Sequence, residues 1–291
     1  MKIKKTVSDI ILDVFCYFIA ILISVSVIVP FWNLFVQSIT PKSEISLAFS
    51  WFPKRVDWGA WELIFNSNYM WLCMKNTVIR TILGTAVGLI MLVTFAYPLS
   101  RKEFPAGKFL FGMLMITMFF SGGLIPTYLN ISDLGLMDTV WALVLPGSLS
   151  AFNCILLKNF FSQLPKELTE AAKIDGANDI VILVKLVLPL SLPILATLTL
   201  WMLVGHWNEW FNALLYINSR EKYVLPIMIK ELQNTVEALT EGAAGTDTSA
   251  APPSDAIIAA TNLFVILPIV CTYPFLQKYF VSGLTVGGVK G

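Results

Sequence analysis

The sequence predicts an all-α integral membrane fold with six transmembrane helices, and two observations carry that expectation. The first is composition. Of the 291 residues, 56% are hydrophobic and 13% charged, where a soluble domain carries about 25% charged residues, and the mean hydropathy is +0.73. The second is patterning. Six charge-free runs, 14–36, 81–100, 109–132, 139–157, 186–206 and 256–277, each approach the ~20 apolar residues that a helix needs to cross a bilayer.

The first run follows Lys2, Lys4 and Lys5. It is too long for the apolar region of a signal peptide and no small-residue cleavage site follows, so it is expected to be a retained span. Orientation is set by Lys and Arg. With the N-terminus inside, segments 1–13, 101–108, 158–185 and 278–291 face inward. They hold Lys2, Lys4, Lys5, Arg101, Lys102, Lys108, Lys158, Lys166, Lys173, Lys185, Lys278 and Lys290, twelve of the 20 basic residues. The expected location is therefore the cell membrane, multi-pass, with both termini cytoplasmic.

Segment 37–80 reads as an outer loop in which Trp51, Trp58, Trp61 and Trp71 recur, as headgroup anchors do. Residues 58–65 are expected to form a short interfacial helix. Sugar stacking is the rarer alternative for these rings. The run 109–132 is broken by Ser121-Gly122-Gly123 and Pro126. Backbone freed at such a break must be satisfied by neighbouring helices or by a water-lined cavity. Ser121 and Gly122 are thus candidates for a pathway wall, with a plain packing kink as the alternative. A second kink is expected at Pro146-Gly147 in run 139–157.

Run 186–206 starts with Pro189 and Pro193 and leads into His206-Trp207-Asn208-Glu209-Trp210-Phe211-Asn212. Polar and aromatic groups mix there at an outer helix end. Trp207, Asn208, Trp210 and Asn212 are candidate substrate-path residues, and a membrane belt with satisfied amides is the simpler alternative. Leu225, Met228, Ile229, Leu232, Val236 and Leu239 mark an amphipathic helix on the outer face. The stretch 241–254 that follows is small and polar. The last run contains Pro268 and Pro274, and a glycine-rich tail closes the chain.

Between two apolar segments lies PKELTEAAKIDGANDIVILVKLVLP, residues 165–189. Pro165 suits a helix's first turn and Gly176 the residue just past its end. Asn178 or Asp179 could cap a second helix running into the next apolar run. Leu168, Ala171 and Ala172 fall at i, i+3 and i+4 on one face. The expectation is helix, glycine turn, helix, on the cytoplasmic side. On spacing alone an ordinary polar loop is the simpler reading.

Several chemistries lack their residues. No G-x-x-x-x-G-K-[ST] is present to cradle a nucleotide. The six runs carry no Asp, Glu, Lys or Arg, whereas ion-coupled carriers use intramembrane ionisable groups. One histidine, His206, makes neither H-E-x-x-H nor a multi-histidine metal site. Cys16, Cys73, Cys154 and Cys271 have neither zinc nor disulfide-framework spacing. No metal, cofactor or nucleic-acid partner is expected. Transport by this chain would have to be driven by something bound to it.

Glu170-Ala171-Ala172, Gly176 four residues on, and Leu186-Val187-Leu188-Pro189 resemble the E-A-A-x₃-G-x₉-I-x-L-P loop of ABC importer permeases, with Leu186 replacing isoleucine. Asp175-Gly176-Ala177 matches the D-G-A within it. The tail Gly283-Leu284-Thr285-Val286-Gly287-Gly288-Val289-Lys290-Gly291 resembles that of the second membrane subunit of maltose-type importers. Residues 120–129 and Trp207-Asn208-x-Trp210-Phe211 resemble the oligosaccharide and polysaccharide subgroup.

The resemblance implies a type I ABC importer permease fold with a cytoplasmic coupling helix. It implies a second related permease subunit, two cytoplasmic ATPase subunits, an extracellular solute-binding protein and a carbohydrate substrate. Glu170, Ala171, Ala172, Asp175 and Gly176 would couple to the ATPase, and Gly287, Gly288 and Lys290 would contact it through the tail. Loop 240–254 would probe the binding protein. The chain would then divide into 1–71, an N-terminal span and outer loop; 72–277, the permease core; and 278–291, the cytoplasmic tail. It would not be an enzyme. A self-sufficient secondary transporter or channel is the rival reading, and an intramembrane enzyme a remoter one.

Overall fold

The structure is a computed structural model that describes residues 6–41, 44, 49–242 and 255–287. Every regular element among them is helical. The chain divides into two compact units. One comprises 1–68 and 229–267, the other 69–228 and 268–291.

In the first unit α1, Val7–Ser38, is a single helix of 32 residues, about 48 Å at 1.5 Å per residue. Its apolar side chains from Ile10 to Ile28 are exposed, as a lipid-facing helix requires. The segment after α1 holds α2, Gly59–Asn66, where the sequence places a short helix. Two tryptophans tie that segment to the end of α1. Trp32 donates through Nε1 to the Trp51 carbonyl at 2.8 Å, and Trp61 donates to Ser38 Oγ at 3.2 Å. Trp61 and Phe65 stack at 5.9 Å. These indoles are therefore hydrogen-bonded structural anchors.

The second unit is built on α3, Asn68–Ser100, 33 residues long. It begins thirteen residues before the charge-free run and carries Lys75 and Arg80 into the helix. Next come α4, Gly107–Phe119, and α5, Leu124–Asp133, bent by 117° between them. Gly123 caps α5 with φ +89, a conformation glycine adopts without steric cost. Then follow α6, Val140–Val144, and α7, Ala151–Gln163. The run 139–157 is thus two helices, not one. Gly147 at φ +78 turns the chain, and Ser150 restarts it by accepting the Asn153 N–H.

The loop element consists of α8, Lys166–Ile174, and α9, Asp179–Ile182. A π-helical turn at Leu183–Val187 and α10, Leu188–Leu190, continue it. Next is α11, Leu192–Asn208, at 82° to the preceding segment. Pro189 offers no N–H to continue the hydrogen-bond ladder, Pro193 falls in the first turn of α11, where none is needed, and Ser191, fully buried, sits at the corner. The chain continues with α12, Phe211–Tyr216, α13, Leu225–Gly242, and α14, Asp255–Gly287.

Among the described residues three helices are long and apolar enough to cross a membrane, at Ser8–Ser38, Asn68–Ser100 and Asp255–Thr272, or up to five if each bent pair is one span. Two cores lie among the described residues of the second unit. One joins Leu92, Ala96, Tyr97, Leu114, Leu157, Phe161, Ile182, Val187 and Leu198, under α8 and α9. The other joins Ile131, Ala142, Leu143, Ala213, Tyr216, Ile217, Val224 and Ile227.

Candidate functional site

The loop element closes α8 by backbone geometry alone. Gly176 takes φ +80. Its N–H reaches the Lys173 carbonyl at 3.0 Å, and the Ala177 N–H reaches the Ala172 carbonyl at 2.9 Å. These two bonds are the Schellman pair that satisfies a helix's last carbonyls. Two residues on, Asn178 caps α9, its Oδ1 accepting the Val181 N–H at 2.9 Å. The turn between the helices is therefore fixed at both ends.

The two faces of α8 differ. Thr169 is buried and Ala172, half-buried, packs with Ala177 against the core beneath. Leu168, Ala171, Ile174 and Asp175 are exposed, with Ile174 at 87%, and Glu170 and Gly176 are exposed as well. The sequence face Leu168-Ala171-Ala172 is thus split. Ala172 turns inward, and the outward ridge runs through Leu168, Ala171 and Ile174 at three-residue spacing, which on a helix is one face.

Under α8 lies a cleft of about 310 Å³, lined among others by Arg101, Lys102, Lys158, Lys166, Thr169 and Lys173. Tyr97 connects it to the loop element. Its hydroxyl donates to the Asp179 carbonyl at 3.3 Å and accepts from Arg101 Nη2 at 2.7 Å.

The candidate path residues occupy two places. Ser121 and Gly122 are exposed at the 117° bend. Trp207 is buried at the end of α11, whereas Asn208 and Trp210 are exposed and Asn212 is half-buried. The described contacts join the two regions through Tyr128 and Tyr216, which stack at 6.2 Å. Gly287 ends α14, and Gly288 and Lys290 lie outside the described residues. So does most of loop 240–254.

Two charged clusters escaped the sequence reading. Arg80, 2% exposed, pairs with the Glu209 carboxylate and also donates to the Glu209 carbonyl. The other carboxylate oxygen of Glu209 accepts the Asn212 N–H at 2.7 Å. One side chain thus ties α3 to the start of α12. The available signal was an arginine one residue before a charge-free run and a lone glutamate just beyond another.

The second cluster is Asp138, at φ 58, a left-handed position that aspartate tolerates. Its carboxylate accepts from Lys222 Nζ at 2.7 Å, Ser219 Oγ at 2.6 Å and the Ser219 N–H at 2.9 Å. Lys222 first and Ser219 next hold that carboxyl well below the usual carboxylate range. A cavity of about 450 Å³ adjoins both clusters, with Trp141 and Asn76 in its wall.

Long apolar helices, two bent helix pairs and a capped two-helix element over a buried core are the build of a multi-helix membrane protein. Residues 77–286 match the family described as binding-protein-dependent transport system inner membrane component, and the chain belongs to that family. It is 40% identical over 265 residues to Protein LplC of Bacillus subtilis (strain 168), covering 91% of this chain and 90% of the relative. It is 35% identical over 280 residues to the polygalacturonan/rhamnogalacturonan transport system permease protein YtcP of the same organism, covering 96% and 98%. Among solved structures it is similar to a chain of a bacterial ABC transporter involved in the import of the acidic polysaccharide alginate. The TM-score is 0.82 and identity 29%, over 96% of this chain and all of that one.

Proposed function

We propose that this chain translocates oligosaccharides or sugar polymers across the cell membrane as one of two related permease subunits. A solute-binding protein delivers the glycan from outside, and two cytoplasmic ATPase subunits drive the cycle. The observation that carries this reading is the capped α8–α9 element, whose outward ridge the described residues leave exposed, in a chain without a G-x-x-x-x-G-K-[ST] loop. The polysaccharide names of YtcP and of the alginate transporter support the substrate class.

In this reading both termini are cytoplasmic. Six spans arise when α6 and α7 together count as one. Glu170, Ala171, Ala172, Asp175 and Gly176 form the coupling element, and Gly287, Gly288 and Lys290 the tail contact. Residues 72–277 are the permease core, preceded by the span and outer loop of 1–71. Ser121, Gly122, Trp207, Asn208, Trp210 and Asn212 border the path. Alternating access follows from differential binding of the closed and open ATPase pair to the two permease states.

The test is uptake by proteoliposomes holding the complete complex and its binding protein, with a panel of neutral and acidic oligosaccharides. Uptake is expected for at least one glycan and only with ATP inside. Equal uptake by this subunit without ATPases would make it a self-sufficient carrier and overturn the proposal.

A further inference from the structure

The cleft beneath α8 carries charge that the described residues do not neutralise. Five cations line it, Arg101, Lys102, Lys158, Lys166 and Lys173, against two carboxylates, Glu103 and Glu170. Lys173 pairs with Asp179 at 3.8 Å. Among the described residues Arg101, Lys102, Lys158 and Lys166 are in no ion pair. The cavity at the other end of the unit is the opposite case, since Arg80 and Lys222 each have a carboxylate.

Arg101 is the most constrained of the four. Its guanidinium lies 4.8 Å over the Tyr97 ring, and Nη2 is tied to the Tyr97 hydroxyl. Its Nε is buried with no hydrogen-bond partner. A buried donor left unmade is costly, and a planar guanidinium presents donors matched to phosphate oxygens. Lys158, over the Phe111 ring at 5.3 Å, has only a long 3.4 Å bond to Asn159. Ser100, Ser162 and Thr169 add hydroxyls to the wall. The cleft sits where α3 leaves its apolar run at Ser100, at the boundary between apolar and polar chain. Basic pockets between helices at that depth suit anionic headgroups.

We infer that this cleft binds a phosphate-bearing anion, the headgroup of an anionic phospholipid, between Arg101 and Lys158 below and Lys166 above. The bound phosphate bridges α8 to the inner ends of α3 and α7, and so stiffens the element that moves on coupling. The inference rests on the proposed cytoplasmic placement of α8 but not on the substrate.

The test is lipid retention, read by native mass spectrometry of the complete complex released from nanodiscs of phosphatidylcholine with phosphatidylglycerol. The wild type should retain phosphatidylglycerol preferentially. Arg101→Gln with Lys158→Gln should lower that retention roughly tenfold or more, the worth of a charge-assisted hydrogen bond. Lys158→Gln alone, a side chain with little structural bonding, should lower it in part. Lys108→Gln, on the same inner turn but outside the cleft, should leave it unchanged. Retention that excess inorganic phosphate does not displace assigns the site to lipid, and displacement by phosphate assigns it to the free anion. Equal retention in wild type and the double variant, or the same loss in Lys108→Gln, would overturn the inference. The readout involves neither uptake nor ATP hydrolysis, so its failure is separable from failure of the transport reading.

Discussion

Arg80 is a buried charge at the edge of the apolar run of α3, and Glu209 is its ion-pair partner. Its side chain is 2% exposed and that of Glu209 28%. Removing either member leaves the other unpaired, which for a buried pair costs roughly 3 kcal/mol or more. Replacing both by apolar or neutral groups of similar volume removes that penalty. Arg80→Met and Glu209→Gln should therefore each lower the unfolding midpoint of the purified subunit, and the double variant should recover most of the loss. Glu209→Gln should be the milder, because Gln can still accept the Asn212 N–H through its amide oxygen. A midpoint of Arg80→Met equal to wild type would show that the pair holds nothing. The sequence contained both residues but no sign of their meeting. They lie 129 positions apart, and Arg80 fell just outside a run defined by the absence of charge.

Among the elements, proline and glycine positions were legible and angles were not. Gly122-Gly123 and Pro189 mark where helices stop or bend, because each removes a side-chain constraint or a hydrogen bond. The resulting 117° and 82° are chosen by the surfaces that pack afterwards. The capped loop at 165–178 was legible because a glycine past a helix end and an asparagine before the next act locally. Close approach between helices was not legible. On α3 a Cβ added at Gly84 would lie 2.5 Å from the His206 ring of α11, and one at Gly88 would lie 3.0 Å from Met202 Sδ. Small residues four apart let two helix backbones approach, yet nothing in the sequence says which helix arrives. Gly84→Ala should force His206 out of place and lower the yield of folded subunit and its thermal midpoint. Gly205→Ala, one residue before that histidine with nothing within 4 Å of its Cβ, should be tolerated and gain helix propensity. Equal effects of the two would remove the Gly84–His206 contact as a packing determinant.

At the scale of the whole molecule, the proposed function needs a docking surface that the described residues leave open. The α8 ridge is the candidate, and the structure separates two alanines that the sequence placed together. Ala172 is half-buried against the core under the loop, while Ala171 stands on the exposed ridge between Leu168 and Ile174. A large side chain therefore has different consequences at the two sites. Ala172→Trp inserts volume into a packed contact, which typically costs 1–3 kcal/mol, and should lower the stability of the isolated subunit. Ala171→Trp starts from an exposed position and should leave that midpoint unchanged. In the complete complex it should block seating of the ATPase, seen as loss of co-purifying ATPase or of ATP hydrolysis stimulated by the loaded binding protein. If Ala171→Trp assembled and transported normally while Ala172→Trp alone failed, α8 would be a structural element of the permease and the coupling surface would lie elsewhere.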